Sequence, residues 1–454
     1  MMQIRPKTDF RGRFVSGPSG FRSELQERID RTPLVDSHEH LPDEAVRLRE
    51  PKTWTHLFRF YLCDDLVSAG MDFDSVFRPG CENIEPQKLW RKIEPFWQAV
   101  KHTGYARATR LAIRELYGIE EVDETTVPHL QEAVEKSITF GFYERFLKKH
   151  ANIESCQVDA SPLGLSPFAE TRQPALLLQD INILDFQYLA KVEEISKRVG
   201  TTVENLDDWH ETIRRFFNKY GPYAVSVKSQ IAYARGLDFE KVSAKTVEQV
   251  FRKKLRGEPR TEEDEKKLQN HLFWFCVEQA NEHRLPVKLH TGYYVGTNGM
   301  VLSRIEKNPA QLAELCRRSP ETRWVFMHLC YPYCDELIAI AKHFSNAFIQ
   351  SCWSWIINPI ATGNFFKRFL VTAPANKCLV FGGDYWPVEC VVGHAKIARD
   401  GLCSVLYELL EEGYVNKNEV LNLVEPLLRG NARQIFQLEK KYEMAKNVPW
   451  NTDE

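Results

Sequence analysis

Two histidines one residue apart, His38 and His40, end a short apolar run and offer the clearest chemistry in the sequence. Side chains at positions i and i+2 of an extended strand point to the same side, so both imidazoles could reach one metal ion. Zn²⁺ favours imidazole and carboxylate ligands, and a catalytic zinc site keeps one position for water. A single pair of this kind occurs by chance in many proteins and predicts little alone.

Residues of the same types end other apolar runs. His290, His328 and Asp384 each end a run, and Lys228 ends another. Singly, each has an ordinary explanation, because a strand-end histidine is more often a hydrogen-bonded core residue and an aspartate after two glycines often belongs to a turn. Together, imidazoles and a carboxylate at the ends of several runs favour one shared metal site over coincidence.

The elements that position these residues are eight apolar runs separated by helical patterns. Such alternation favours parallel strands joined by crossover helices. Eight parallel strands can close into a barrel, an α/β fold whose catalytic residues lie at the carboxyl ends of the strands. We therefore predict a (β/α)₈ TIM barrel with strands at 33–38, 152–158, 175–183, 222–228, 286–290, 323–328, 347–352 and 378–384.

One interval between strands is too long for a simple crossover. Residues 41–151 carry several helical patterns. A loop after a barrel strand lies on the catalytic face, so we predict a large helical insertion that forms a lid, with a purely structural cap as the alternative. The predicted organisation is an N-terminal segment with the first strand (1–40), the insertion (41–151), the remainder of the barrel (152–441) and a C-terminal tail (442–454).

Charge and composition argue against several classes of partner. The net charge of −2 gives no basic field for nucleic acid. No run approaches the roughly 18 apolar residues of a membrane span, and we expect neither a membrane partner nor a signal peptide. The eleven cysteines are scattered without a C-x-x-C pair, which favours a reduced, cytoplasmic protein over a disulfide scaffold. We expect a small-molecule substrate and leave homo-oligomerisation open.

The strand-end residues resemble the ligand set of the amidohydrolase superfamily. That family has His-x-His on the first barrel strand, His on the fifth and sixth, Asp on the eighth and, in many members, Lys or Glu on the fourth. LVDSHEHL at 34–41 and LLRGNARQIFQL at 427–438 resemble the amidohydrolase-2 (amidohydrolase-related) branch, and the long insertion resembles that of uronate isomerases. The corresponding residues here are His38, His40, His290, His328, Asp384 and Lys228.

The resemblance and the ligand chemistry imply a zinc or similar divalent ion held by His38, His40, His290 and Asp384. Asp384 would also be the general base that takes a proton from water. Glu39 alternates away from the two histidines, and we expect it to pack or hydrogen-bond behind them.

Two further residues have open roles. His328 would ligate a second metal or orient the substrate. Lys228 would either be carboxylated and bridge two metals, as in some family members, or bind a substrate carboxylate or an acidic side chain unmodified. Uronate isomerases and decarboxylases of the superfamily lack this bridging lysine, so Lys228 departs from their pattern. We favour one essential metal and leave a second open.

The predicted substrate contacts come from two loops. Tyr233 and Arg235 follow the fourth strand, and Trp386 follows Asp384. A guanidinium forms a planar fork that fits a carboxylate, so we expect a small carboxylate-bearing substrate held by Arg235. The predicted function is hydrolysis, in which activated water attacks an amide or ester carbonyl. The alternatives are a uronate-isomerase-like sugar acid isomerase, a non-oxidative decarboxylase and a non-catalytic binding barrel.

Overall fold

The computed structural model describes residues 19–159 and 167–450. Its eight strands form one sheet in chain order, which is the strand order of a (β/α)₈ barrel, and the predicted fold class is confirmed. Residues 1–18 of the predicted N-terminal segment and 451–454 of the predicted tail lie outside the described residues. The strands are β1 (Leu34–Glu39), β2 (Ile153–Val158), β3 (Leu177–Asn182), β4 (Ser226–Ser229), β5 (Val287–Leu289), β6 (Trp324–Phe326), β7 (Ala347–Gln350) and β8 (Cys378–Leu379).

Each predicted apolar run contains a strand, but several strands end earlier than the run does. β6 ends at Phe326 and β8 at Leu379. His328 and Asp384 have φ angles of 59° and 61°, in the left-handed region that a regular strand does not contain. These two residues therefore lie in the turns that follow their strands.

Helices fill the intervals between the strands. In chain order they are α1 (Ser19–Arg31), α2 (Glu44–Arg47), α3 (His56–Arg59), α4 (Leu62–Ser68), α5 (Asp74–Phe77), α6 (Pro86–Val100), α7 (Gly104–Tyr117), α8 (Val127–Ser137), α9 (Leu184–Tyr188), α10 (Val192–Val199), α11 (Leu206–Tyr220), α12 (Ala244–Leu255), α13 (Glu262–Glu282), α14 (Leu302–Ile305), α15 (Asn308–Arg318), α16 (Cys334–His343), α17 (Ser354–Ile357), α18 (Pro359–Thr372), α19 (Val388–Glu411), α20 (Lys417–Glu425), α21 (Asn431–Ile435) and α22 (Leu438–Ala445).

The first of two compact units comprises the described chain up to Cys156, Tyr293–Met300 and Gln350–Asn431. In this unit the segment after β8 runs beside β1. The Asp384 amide donates to the His38 carbonyl (2.9 Å), and the His40 amide donates to the Tyr385 carbonyl (3.0 Å). This pairing brings the predicted aspartate next to the two predicted histidines.

The helices after β1 have their own apolar core within the first unit. The ring centroids of Trp54 and Trp90 are 6.3 Å apart, and those of Trp90 and Trp97 are 5.9 Å apart. α7 packs closely on α19, where a Cβ atom on Gly393 would overlap with the Ala108 carbonyl oxygen. Only glycine permits this backbone approach.

The second compact unit comprises Gln157–Gly292, Val301–Ile349 and the described chain from Ala432. Its strands β3 to β7 are parallel, and Lys228 on β4 is in register with Lys288 on β5. Capping boxes begin two of its long helices, with Asn205 at the start of α11 and Thr261 at the start of α13. Each cap satisfies amide groups that the first helical turn leaves without a partner.

Candidate metal centre

Three of the predicted metal ligands converge in the first unit. The Nε2 atoms of His38 and His40 each lie 3.1 Å from Oδ1 of Asp384. All three residues are buried, with exposed fractions of 0%, 8% and 5%. The two imidazole rings stand edge to face with centroids 4.8 Å apart, so each presents a nitrogen to the same carboxylate oxygen.

The chemistry and spacing of these three groups fit a divalent metal ion. Two imidazole nitrogens and a carboxylate oxygen form a common zinc donor set. Bonds of about 2.0–2.2 Å in a tetrahedral site place neighbouring donor atoms roughly 3.3–3.6 Å apart, so the pairs that lie 3.1 Å apart here would separate by only a few tenths of an ångström. His38, His40 and Asp384 would therefore hold the ion, and a fourth position would be available for another ligand or water.

The backbone at Asp384 depends on a glycine that precedes it. A Cβ atom on Gly383 would overlap with Oε1 of Glu39. The other Glu39 oxygen accepts a hydrogen bond from the Tyr385 amide (2.6 Å). Glu39 thus contacts Gly383 and Tyr385, the residues on either side of Asp384. The hydrogen-bonding role predicted for Glu39 is confirmed.

Asp36 links the two backbone segments that carry the ligands. Its Oδ1 accepts hydrogen bonds from the amides of His38 (3.2 Å) and Gly383 (3.2 Å). Burial, and then the neighbouring Asp36 carboxylate, raises the pKa of Glu39 well above its ordinary value. The raised pKa favours the protonated form of Glu39, which avoids a buried negative charge on Glu39 next to another carboxyl group.

A tyrosine from the helical insertion also reaches this site. The Tyr61 hydroxyl donates to the backbone carbonyl of Asp384. Its ring stacks on Trp353 at 4.7 Å and on Tyr105 at 5.3 Å between centroids. The insertion therefore takes part in fixing the Asp384 turn, although its predicted role as a lid stays a prediction.

Three other predicted site residues come together in the second unit. Nδ1 of His290 lies 2.9 Å from Nε2 of His328. The Tyr233 ring lies 4.4 Å from that of His290, and Tyr233 is 37% exposed. The metal-ligand role of His290, the catalytic role of His328 and the substrate role of Tyr233 stay predictions.

Lys228 is buried in the second unit, with 1% of its surface exposed. Its Nζ lies 2.7 Å from the Met327 sulfur. Neither the carboxylated nor the unmodified form is distinguished by this contact, and the role of Lys228 stays a prediction.

The Arg235 guanidinium makes several contacts with protein groups. It donates to the Lys266 carbonyl (3.3 Å) and to the Gln269 side chain (3.4 Å), and it lies 3.5 Å from Asp238. It also lies over the Phe239 ring at 5.1 Å. These contacts tie the loop after β4 to α13, whereas the predicted role in substrate binding stays a prediction.

Trp386 contacts the helical insertion in the first unit. The Arg47 guanidinium lies 5.2 Å from its ring centroid, and the His56 ring meets it edge to face at 5.6 Å. Arg47 is itself fully buried and pairs with Glu389 at 3.2 Å. The substrate contact predicted for Trp386 stays a prediction.

Sequence reasoning missed two of the residues that shape this centre. Asp36 precedes His38 by two positions and shares its side of the strand, which is a local signal that could have identified it. Tyr61 gives no such signal, because its contact with Asp384 joins residues 323 positions apart.

Comparisons with known proteins bear on the family of the chain. A family model described as Amidohydrolase matches residues 230–394. Protein fluG of Emericella nidulans is 23% identical over 232 residues, which cover 48% of this chain. The chain spans only about a quarter of that relative, 26% of its length.

Two solved structures match nearly the whole chain. The glucuronate isomerase of Caulobacter crescentus is 17% identical with a TM-score of 0.75, and the match covers 96% of this chain and 98% of that one. The uronate isomerase of Thermotoga maritima is 14% identical with a TM-score of 0.72, covering 93% and 100%.

These findings confirm the predicted resemblance to the amidohydrolase superfamily, including its similarity to uronate isomerases. The resemblance indicates an enzyme, and superfamily members bind divalent metals, as the donor set of His38, His40 and Asp384 would. Among the described residues, every helix is too short or too polar to span a bilayer.

Proposed function

We propose that this protein is a metal-dependent hydrolase that cleaves an amide or ester of a small, carboxylate-bearing substrate. The observation that carries the proposal is the convergence of two imidazole Nε2 atoms on one oxygen of Asp384, at 3.1 Å each. Zinc is the proposed ion, because this buried nitrogen and oxygen donor set suits it.

In the proposed reaction, the Asp384 carboxylate first accepts a proton and later returns it. When bound, the ion supplies the Lewis acidity that acidifies a water molecule and polarises a carbonyl. Asp384 accepts the proton of the water whose oxygen attacks the substrate carbonyl carbon. It then returns that proton to the departing amine or alkoxide as the carbon–nitrogen or carbon–oxygen bond breaks. His38 and His40 act as neutral imidazoles, since a protonated ring has no lone pair for a metal.

The surroundings of the centre support this assignment. Asp36 and Glu39 hold the backbone of the ligand-bearing segments through amide hydrogen bonds. Ligands on a fixed backbone need little reorganisation when the ion binds. All eleven cysteines lie in the described residues as buried thiols, which supports a reducing, cytoplasmic setting for the enzyme.

A sugar acid isomerase is the second candidate. The observation that favours it is the match to uronate isomerases over 98% and 100% of their chains, which extends through the helical insertion. In an isomerase a proton would move between adjacent substrate carbons, with no water consumed. Asp384 could serve as the base in that reaction as well.

The two candidate functions differ in whether an oxygen atom of water enters the product. The zinc-loaded protein is incubated in ¹⁸O-labelled water with N-acyl amino acids and, separately, with glucuronate and galacturonate. Hydrolysis places one ¹⁸O in the released carboxylate, and this is the expected result. Conversion of a uronate to its keto isomer without cleavage would replace the hydrolase proposal by the isomerase.

A further inference from the structure

Residues of the helical insertion, together with Trp386, line an open cavity of about 260 Å³ in the first unit. Its volume lies just below the roughly 300–1,000 Å³ of pockets that hold drug-sized ligands, so it suits a small molecule. None of the ligands His38, His40 and Asp384 lines it. The polar lining residues are Glu50, Thr53, Thr55, His56, Arg59, Arg78, Glu82 and Trp386.

Two cations of this cavity have no protein partner. The guanidinium groups of Arg59 and Arg78 form neither a hydrogen bond nor an ion pair with any described residue. Two other arginines of the insertion are paired, Arg91 with Glu124 and Arg110 with Glu121. A guanidinium offers a planar fork of donors that fits an oxyanion.

The two acidic residues of the lining form no ion pair with Arg59 or Arg78. Glu82 accepts a hydrogen bond from the Gly80 amide (2.8 Å). Glu50 lies 3.7 Å from the buried Arg47 guanidinium. Burial raises the pKa of Glu50, and the charges of Arg47 and Arg59 oppose that rise. Glu50 therefore lies near enough for its charge to act on Arg59, but neither acid pairs directly with Arg59 or Arg78.

A buried imidazole gives a second sign of a ligand site. His56 is only 8% exposed, yet its Nδ1 has no hydrogen-bond partner among the described residues. A buried polar atom without a protein partner is left to hydrogen-bond with a bound water, ion or ligand. On the same wall, the hydroxyls of Thr53 and Thr55 lie 2.9 Å apart and add polar groups.

We propose that this cavity binds a small oxyanion, a carboxylate or a phosphate group, between Arg59 and Arg78 with Trp386 as its wall. The site is separate from the metal centre and does not depend on the proposed reaction. Since Trp386 lies two positions after Asp384, an occupied cavity would also restrain the turn that carries the metal ligand.

Calorimetric titration of the zinc-loaded protein with sodium phosphate and with sodium succinate tests the site. Arg59→Gln and Arg78→Gln should each weaken the tighter anion roughly tenfold or more, because each removes a charge-assisted contact. Arg49→Gln is the matched control, since Arg49 is an exposed arginine of the same segment that does not line the cavity. Equal affinity in all three variants and the wild type would overturn the proposal, and so would an equal response to sodium chloride at the same ionic strength.

Histidine NMR supplies a readout that a purely structural role would not move. Burial, followed by the charges of Arg47 and Arg59, lowers the pKa of His56 to about 3. An anion bound at Arg59 would lie beside this neutral imidazole, so saturating phosphate or succinate at pH 7 should shift the His56 ring resonances, and unchanged resonances would overturn the proposal. The relative affinity of phosphate and succinate identifies which anion the site prefers. We expect the anion to bind also after zinc has been removed. If removal of zinc abolished anion binding, the anion would be assigned to the metal instead.

Discussion

The carboxylate of Glu39 occupies the space that a side chain at Gly383 would fill. A Cβ atom on Gly383 would overlap with Oε1 of Glu39, and the second Glu39 oxygen accepts the Tyr385 amide at 2.6 Å. Asp384 lies between these two contacts with a φ of 61°. The glycine therefore permits the buried acid to support the backbone of Asp384.

Gly383→Ala should weaken metal binding and destabilise the fold. The methyl group must displace Glu39, and overpacking of this kind costs roughly 1–3 kcal/mol. Elemental analysis and thermal melting measure the two effects. Gly20→Ala serves as the control, because a Cβ atom at this helical position meets nothing within 4 Å. A Gly383→Ala protein with wild-type zinc content and melting temperature would show that Glu39 does not position the centre.

His38→Ala should remove the metal. The substitution deletes one of three converging donors, and the remaining pair binds a divalent ion weakly. Zinc content per chain after dialysis is the measurement, with His343→Ala as a control at an exposed histidine. His290→Ala belongs in the same series, and a loss of zinc there would support the fourth ligand predicted from the sequence. Equal zinc in wild type and His38→Ala would refute the metal centre.

Asp384→Asn should abolish turnover and leave the fold intact. An amide cannot accept the proton that the carboxylate takes from water, and loss of a general base lowers kcat roughly 100- to 10,000-fold. Circular dichroism checks the fold, and zinc analysis separates loss of the base from loss of the ion. Near-wild-type kcat with any identified substrate would exclude Asp384 as the base.

Local patterns were sufficient to predict the barrel and the three side chains that converge at the candidate metal centre. The apolar runs that contain β1 and β8 are each a single continuous segment of the chain. Strand geometry alone predicts that His38 and His40 point to the same side. The adjacency of Asp384 to these histidines then follows from the closure of eight parallel strands.

Contacts between distant positions could not be predicted in the same way. The hydrogen bond between Tyr385 and Glu39 joins residues 346 positions apart, and the overlap at Gly383 depends on that same packing. From the sequence, the Gly382-Gly383 pair indicated only a turn.

A histidine pair outside the candidate metal centre should make the stability of the fold depend on pH. His210 on α11 lies 2.9 Å from His271 on α13 between their Nε2 atoms, and its ring stacks on Phe275 at 4.1 Å. Burial, and then the charges of His271 and Arg214, lowers the pKa of His210 to about 4, with Asp207 opposing the shift. The folded protein therefore keeps this imidazole neutral at pH values where the unfolded chain protonates it.

The free energy of unfolding should accordingly rise with pH between about 4 and 6.5. Within that window the unfolded chain binds a proton at His210 that the folded chain does not, which lowers stability as the pH falls. His210→Gln keeps a donor for His271 but cannot titrate, so it should reduce the difference in stability between pH 4.5 and pH 7.5 by about 2 kcal/mol. Urea unfolding of both proteins at the two pH values measures the difference, and His343→Gln controls for an exposed histidine. A slope unchanged by His210→Gln would show that this pair does not titrate with folding.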